Sequence, residues 1–120
     1  MAHEHKTINY IEFPLKDADT TKIFYGSVFG WEFQDWGANY LSFSGAGVDG
    51  GFNAEDATPV QKPGVLVVLF SENLEATLAE VKAAGATILR DIYSFPGGRR
   101  FHFIDPNGNE LAVWAATKQH

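Results

Sequence analysis

The chain has 120 residues, of which 45% are hydrophobic and 14% aromatic, and its formal net charge is −6. This size and composition predict a single folded domain over residues 1–120 and exclude a disordered chain. The sequence has no cysteine, which excludes disulfides, thiolate zinc sites and cysteine nucleophiles. The acidic charge argues against a nucleic-acid partner.

The first half of the chain predicts a strand, a helix and three further strands. Alternating apolar residues predict a strand over residues 8–13. Asp17 can cap a helix that ends at Gly30, because an apolar stripe at helical spacing lies between them. Strands are then predicted over residues 31–36, 39–44 and 48–53, separated by glycine-rich turns.

The second half repeats this order. Residues 65–70 predict an apolar strand, and the spacing of Leu74, Leu78 and Val81 predicts a helix that ends at Gly85. Three strands follow over residues 87–91, 99–104 and 110–115. We therefore expect two modules, about residues 7–53 and 65–116, joined by a linker over residues 54–64 and packed together in one domain.

Alternation within the strands predicts which residues share a sheet face. Apolar residues at spacing two should face the helices, and the residues between them should line the opposite face. That opposite face would mix polar and aromatic groups, which favours a semi-polar cleft; simple exposure to solvent is the alternative. Its predicted members are Tyr10, Glu12, Tyr40, Ser42, Arg100, His102, Ala112 and Trp114.

Four segments together resemble the vicinal oxygen chelate superfamily, which contains glyoxalase I, bleomycin-resistance proteins and extradiol dioxygenases. INYIEFP at residues 8–14 and FYGSVFGW at residues 24–31 look like its first module. LEATLAEVKAAG at residues 74–85 looks like the helix of its second module, and FIDPNGNEL at residues 103–111 looks like its closing hairpin. The resemblance implies an α+β fold of paired βαβββ modules around an open barrel-like cleft, frequently in a homodimer.

Metal-dependent members of this superfamily carry His or Glu/Gln ligands on four strands. The resemblance puts these positions on Tyr10, on residues 51–53, near Leu66 and on Ala112, which are poor ligands. His102 is the only histidine away from the chain termini, so Glu12 and His102 together would supply just two ligands. We therefore predict no metal and no other cofactor, while a divalent metal held by a different ligand set stays open.

Two functions are compatible with such a cleft. The first is a metal-independent protein, similar to the bleomycin-resistance members, that binds a small amphipathic or aromatic molecule. Its candidate ligand-binding residues are Tyr10, Tyr40, Phe52, Leu66, Arg100, Ala112 and Trp114. Tyr93 and Phe95 are further aromatic candidates.

The second function is a lyase, isomerase, epimerase or dioxygenase-type enzyme that acts beside a carbonyl. In it His102 would be the general base, Glu12 would orient His102, and Arg100 would stabilise an oxyanion. The alternative for these residues is a structural ion pair between Glu12 and Arg100. The sequence shows no signal peptide and no apolar run that could cross a bilayer, which predicts a cytoplasmic protein without a membrane partner.

Overall fold

The computed structural model describes residues 3–55 and 58–117, and in these it has two helices and eight strands. The first half consists of β1 Ile11–Pro14, α1 Ala18–Phe29, β2 Glu32–Asp35, β3 Tyr40–Ser44 and β4 Gly50–Asn53. The second half consists of β5 Val67–Phe70, α2 Leu74–Ala83, β6 Thr87–Phe95, β7 Gly98–Ile104 and β8 Glu110–Ala116. Both halves follow the order βαβββ, which confirms the predicted α+β fold.

Each half forms its own four-stranded sheet. Sheet 1 has the order β1-β4-β3-β2, and sheet 2 has the order β5-β8-β7-β6. In each sheet the first strand of the half runs parallel to the last, while the other neighbours are antiparallel. The two sheets remain separate and do not close into a barrel, so each keeps one face away from the core.

The helices begin and end at the predicted residues for local reasons. The Asp17 side chain accepts hydrogen bonds from the first backbone N–H groups of α1, and Gly30 ends the helix with φ 74°, which only glycine adopts readily. Asn73 caps α2 in the same way by accepting from the N–H of Ala76. Gly85 follows α2 with φ 93°. Capping and stop signals of this kind fix where each helix lies between its strands.

Helix α1 packs against the apolar faces of both sheets. The ring of Tyr25 lies 5.5 Å from that of Phe52 in sheet 1, and the ring of Phe24 lies 5.7 Å from that of Phe103 in sheet 2. These residues belong to one continuous core that includes side chains from both halves. Neither sheet could bury its apolar face alone, and the shared helix is what joins them.

The turn between β7 and β8 anchors the second half to the first. Asn107 Oδ1 accepts a hydrogen bond of 2.7 Å from the N–H of Lys16 and one of 3.1 Å from Thr21 Oγ1. Tyr25 Oη donates to Asp105 Oδ2 at 2.8 Å, and burial raises the pKa of both groups. These buried bonds hold the two sheets in one orientation, with their apolar faces towards the core.

Candidate functional site

The polar candidates lie on two sheet faces that are turned away from the core, one on each sheet. Face 1, on sheet 1, carries Tyr10, Glu12, Tyr40, Ser42 and Asn53. Face 2, on sheet 2, carries Val68, Phe70, Arg90, Tyr93, Phe95, Arg100, His102, Glu110, Ala112 and Trp114. The predicted single lining is therefore divided between the two sheets of this chain.

Face 1 is organised around one carboxylate. Tyr40 Oη donates to Glu12 Oε1 at 2.9 Å, and Asn53 Nδ2 donates to Glu12 Oε2 at 3.3 Å. Because the Tyr40 hydrogen is used in this way, the hydroxyl of Tyr10 donates to Tyr40 Oη across 2.6 Å. A Cβ on Gly51 would come within 2.7 Å of Tyr10 Oη, so glycine at this position makes room for the two phenols.

The pKa of the Tyr40 hydroxyl is raised by burial and, in addition, by its hydrogen bonds to Tyr10 and Glu12. Tyr40 therefore stays protonated at physiological pH and serves as a fixed donor. A cavity of about 390 Å³ opens beside this network, with Tyr10 and Ser42 in its wall. Face 1 thus offers a polar, acidic surface on which Tyr40 is a neutral hydrogen-bond donor.

Face 2 carries a chain of four hydrogen-bonded side chains. Glu110 Oε2 lies 2.9 Å from His102 Nδ1, and His102 Nε2 lies 2.9 Å from Tyr93 Oη. Arg100 Nε donates to the same Tyr93 oxygen. Glu110 Oε1 also accepts a bond of 3.0 Å from the N–H of Lys62. The histidine is 1% exposed and Glu110 is 5% exposed, so the inner end of this chain is buried.

Burial lowers the pKa of His102 below its ordinary value and outweighs the hydrogen bond to Glu110, which raises it. Burial would raise the pKa of Glu110, but hydrogen bonds from Lys62 and His102 hold it below its ordinary value. Near neutral pH the pair is therefore a neutral imidazole beside an ionised carboxylate. This leaves His102 able to accept a proton.

An aromatic patch adjoins this polar chain. The Trp114 ring lies 5.3 Å from that of Phe70 and 6.4 Å from that of Phe95. Arg100 Cζ lies 5.7 Å from the centre of the Phe95 ring. In the part of the chain that the structure describes, no carboxylate lies within ion-pair distance of Arg100. Phe70 is 57% exposed, so apolar area lies open beside an unpaired cation.

The predicted partnership of Glu12 with His102 needs correction. Glu12 lies on face 1 and bonds to Tyr40 and Asn53, whereas Glu110 contacts the histidine. Nor do Glu12 and Arg100 form an ion pair, because they belong to different sheets. The general-base candidate His102 is therefore oriented by Glu110, which lies two residues before Ala112 on the same face of β8.

Phe52 also needs correction as a ligand-binding candidate. Its ring is 0% exposed and stacks on that of Phe13 at 5.2 Å, inside the core. Ala112 lies on face 2, but it is 0% exposed beneath its neighbours, and in this chain it does not reach the surface. Leu66 is half-buried one residue before β5. Tyr10, Tyr40, Arg100 and Trp114 remain accessible.

The residues at the superfamily's metal positions do not fit a divalent cation. Leu66 and Ala112 carry no donor atom, and the hydroxyl of Tyr10 is engaged with Tyr40. Across residues 3–55 and 58–117 no three His, Asp or Glu side chains converge into a metal-binding group. The terminal His120 lies outside the described residues. In these same ranges no helix is long and apolar enough to span a membrane.

Sequence reasoning missed Glu110 and gave Tyr93 no specific role. Glu110 shares strand parity with Ala112 and Trp114, so extending the alternation by one step would have placed it on the face of His102. Tyr93 lies beyond the strand predicted over residues 87–91, so the sequence assigned it to no sheet face. In the structure β6 continues to Phe95 and changes register twice, between Ile88 and Arg90 and between Arg90 and Tyr93. The two shifts cancel at Tyr93, and simple alternation would misplace Arg90 instead.

A further cavity, of about 560 Å³, lies between the start of α1 and the end of α2, away from both faces. Its carboxylates already have partners. Asp17 accepts bonds from backbone N–H groups of α1, and Asp105 accepts from Tyr25 and from the N–H groups of Asn107 and Asn109. This cavity lies where the two halves join, and both of its carboxylates are engaged by the fold, so it belongs to the junction rather than to the candidate site.

Comparison with known proteins agrees with this architecture. The family model described as the Glyoxalase/Bleomycin resistance protein/Dioxygenase superfamily matches residues 7–113. The chain is similar to a glyoxalase-related enzyme from Fulvimarina pelagi, with TM-score 0.76, 18% identity, and 92% of this chain and 88% of that chain covered. A glyoxalase/bleomycin resistance protein/dioxygenase family enzyme from Burkholderia phytofirmans PsJN has TM-score 0.77 and 16% identity, with 92% and 98% covered.

An antibiotic binding protein, TnmS3 from Streptomyces sp. CB03234, has TM-score 0.68 and 24% identity, and 98% of this chain and 99% of that chain are covered. At these identities the solved structures speak for the fold alone. No curated protein matches the chain. The family model, which covers most of the residues, decides the assignment. This chain belongs to the Glyoxalase/Bleomycin resistance protein/Dioxygenase superfamily.

Proposed function

We propose that the protein binds a small aromatic molecule with an anionic group on face 2, in the cytoplasm and without a metal. The observation that carries this proposal is the open patch of Phe70, Phe95 and Trp114 next to Arg100. Aromatic walls favour a planar ligand. An arginine without a carboxylate partner favours an acidic oxygen, which it can hold through its two free terminal nitrogens.

The ligand class is also supported by the different groups that the two open faces carry. Face 1 carries a carboxylate and the hydroxyls of Tyr10 and Tyr40, which suit the hydroxyl or amine part of an amphipathic ligand. Face 2 carries the apolar area and the cation. Similarity to an antibiotic binding protein is consistent with a binding role for this fold, and the donor-poor metal positions favour a metal-independent one.

We propose that a homodimer completes the site. Val68 and Phe70 on face 2 and Tyr10 on face 1 are exposed in a single chain, at 39%, 57% and 45%. An apolar patch left open in this way favours association. Packing face 1 of one protomer on face 2 of its partner would cover these residues and enclose the ligand between the two faces.

Calorimetric titration with two ligands that share a ring and differ in charge tests the binding role. Naphthoate is an aromatic anion and naphthylmethylammonium is an aromatic cation. We expect naphthoate to bind and the ammonium compound to bind at least about tenfold more weakly, because only the anion pairs with Arg100. Replacing Arg100 with Met should weaken naphthoate binding by about the same factor.

The matched control is Arg99→Met. Arg99 neighbours Arg100 on β7, but its guanidinium pairs with Glu75 at 2.6 Å on the other side of the sheet. This variant should bind naphthoate as the wild type does. Absence of naphthoate binding, or equal binding by the wild type and Arg100→Met, would show that face 2 is not an anion-binding site.

A further inference from the structure

The polar chain of face 2 brings together side chains from three strands. His102 lies opposite Arg90 of β6, and Arg100 lies opposite Tyr93. Between these two pairs β7 advances two residues while β6 advances three, so β6 contains an irregularity in register. Such a bulge re-aims side chains. Here it brings Arg90 and Tyr93 to the same face, beside His102 and Arg100.

The partners of each atom determine where the hydrogens lie. Glu110 is an ionised acceptor, so the neutral imidazole carries its hydrogen on Nδ1, which lies 2.9 Å from the carboxylate. His102 Nε2 is then an acceptor. Arg100 Nε can only donate to Tyr93 Oη, so the hydroxyl hydrogen of Tyr93 points at His102 Nε2. The phenol oxygen keeps one free lone pair, and Tyr93 is only partly buried.

The charges around Tyr93 are unusual for a purely structural phenol. Arg100 donates to its oxygen, and Arg90 Cζ lies 3.5 Å from the centre of its ring. Two cations therefore contact the phenol, while the carboxylate nearest to it in the hydrogen-bond chain lies on the far side of His102. Positive charge at these positions favours an anionic oxygen in a molecule bound beside the phenol.

We propose that Glu110, His102, Tyr93 and Arg100 form a proton relay, the Tyr93 relay, in which Tyr93 takes a proton from a bound substrate. A substrate C–H bond breaks, its electron pair stays on the substrate as an enolate, and the proton joins Tyr93 Oη. At the same time the hydroxyl proton of Tyr93 moves to His102 Nε2. Glu110 stabilises the resulting imidazolium, and the reverse step returns a proton to the substrate.

This arrangement, in which a carboxylate orients a histidine and the histidine takes the proton of a hydroxyl group, is a known way of activating hydroxyl groups in enzymes. Tyr93 is the catalytic residue of the relay, and Glu110 is a positioning residue that acts through His102. The step consumes no oxidant, reductant or second substrate. Its substrate class is a carbon acid beside a carbonyl, because the enolate oxygen can then be held by the terminal nitrogens of Arg100. That the substrate also carries an aromatic ring rests on the proposed function.

Phenylpyruvate is a suitable probe, since it joins an aromatic ring, a carboxylate and an acidic methylene beside a ketone. Proton NMR in heavy water follows the loss of the methylene signal. We expect the wild type to exchange these protons faster than buffer alone and Tyr93→Phe to lose at least about a hundredfold of the enhancement. Glu110→Gln should lower the maximal rate at least about tenfold at an unchanged half-saturating concentration.

Arg99→Lys is the control for folding and surface charge, and it should exchange at the wild-type rate. Exchange by the wild type no faster than buffer, or equal rates in the wild type and Tyr93→Phe, overturns the relay. Nitrogen NMR of the wild type supplies a test that needs no variant: a hydrogen on Nε2 rather than Nδ1 of neutral His102 also overturns it. Naphthoate binding without proton exchange would remove the relay and leave the binding function standing.

Discussion

Each of the two open faces places a tyrosine in a hydrogen-bonded network with a carboxylate. The networks differ in the group that accepts the hydrogen bond from the phenol. On face 1, Tyr40 donates directly to Glu12. On face 2, Tyr93 donates to His102, which in turn contacts Glu110. The inserted imidazole supplies a group that can take the proton and keep it, because Glu110 stabilises the charged ring.

The surroundings of the two phenols reinforce this difference. Burial and hydrogen bonds raise the pKa of Tyr40, so its proton stays on the oxygen and the group can only donate or accept hydrogen bonds. Tyr93 is contacted by the cations Arg90 and Arg100. One face is therefore suited to fixed polar contacts and the other to moving a proton. The two phenols lie on strands that do not correspond between the halves, because β3 is the fourth element of its half and β6 is the third.

The largest expected contrast is between the two carboxylates. Glu110→Ala leaves His102 Nδ1 and the N–H of Lys62 without their buried partner, so we expect the free energy of unfolding to fall by about 3 kcal/mol. Glu12→Ala removes an exposed carboxylate and should cost less than about 1 kcal/mol. Urea denaturation of both variants measures the two losses.

Equal losses in the two alanine variants would mean that the His102–Glu110 pair is no more important for stability than the exposed network of face 1. Glu110→Gln separates charge from hydrogen bonding. Its single amide oxygen can still accept from one of the two donors, His102 Nδ1 or the N–H of Lys62, so it should retain part of the stability that Glu110→Ala loses.

Local signals predicted the elements well, because caps and stops act within one turn of chain. Asp17, Gly30 and Asn73 lie where the structure begins or ends its helices. The repeated order of elements then gave the fold. These local signals could not predict how the two sheets are oriented, because the orientation depends on how α1 and the turn at residues 105–109 join the halves.

The site was predicted only in part, and the failures have local causes. Gly50 and Gly51 have no side chains, so the alternation that should have assigned Phe52 to the core could not be read from β4. The predicted strand over residues 87–91 ended before Tyr93, and the two register shifts of β6 concealed that Arg90 shares the face of His102. Strand alternation identifies faces only where the strand is regular and every position carries a side chain.

A smaller contrast is expected between the two phenols. Tyr93→Phe leaves Arg100 Nε and the buried His102 Nε2 without a partner, and should cost about 1 kcal/mol. Tyr40→Phe removes an exposed hydrogen bond to Glu12 and should cost about 0.5 kcal/mol or less. Urea midpoints of the two variants give the comparison, and a greater loss in Tyr40→Phe would contradict the assignment of the buried network to face 2.

The pH dependence of stability gives the smallest and most specific contrast. Burial lowers the pKa of His102 in the folded chain, so the unfolded chain binds the proton more readily between that lowered value and about 6.5. The free energy of unfolding should therefore fall as the solution is acidified from about pH 7.5 to about pH 5.5.

His102→Gln can still bond to Glu110 and Tyr93 but takes up no proton, so it should lose less stability over the same range. Tyr40→Phe leaves the histidine in place and should follow the wild type. Thermal unfolding at both pH values tests this. Parallel losses in the wild type and His102→Gln would show that the pKa of His102 is not lowered by folding. A smaller loss in the wild type than in His102→Gln would show that the folded chain favours the protonated imidazole, which would deprive Tyr93 of its proton acceptor.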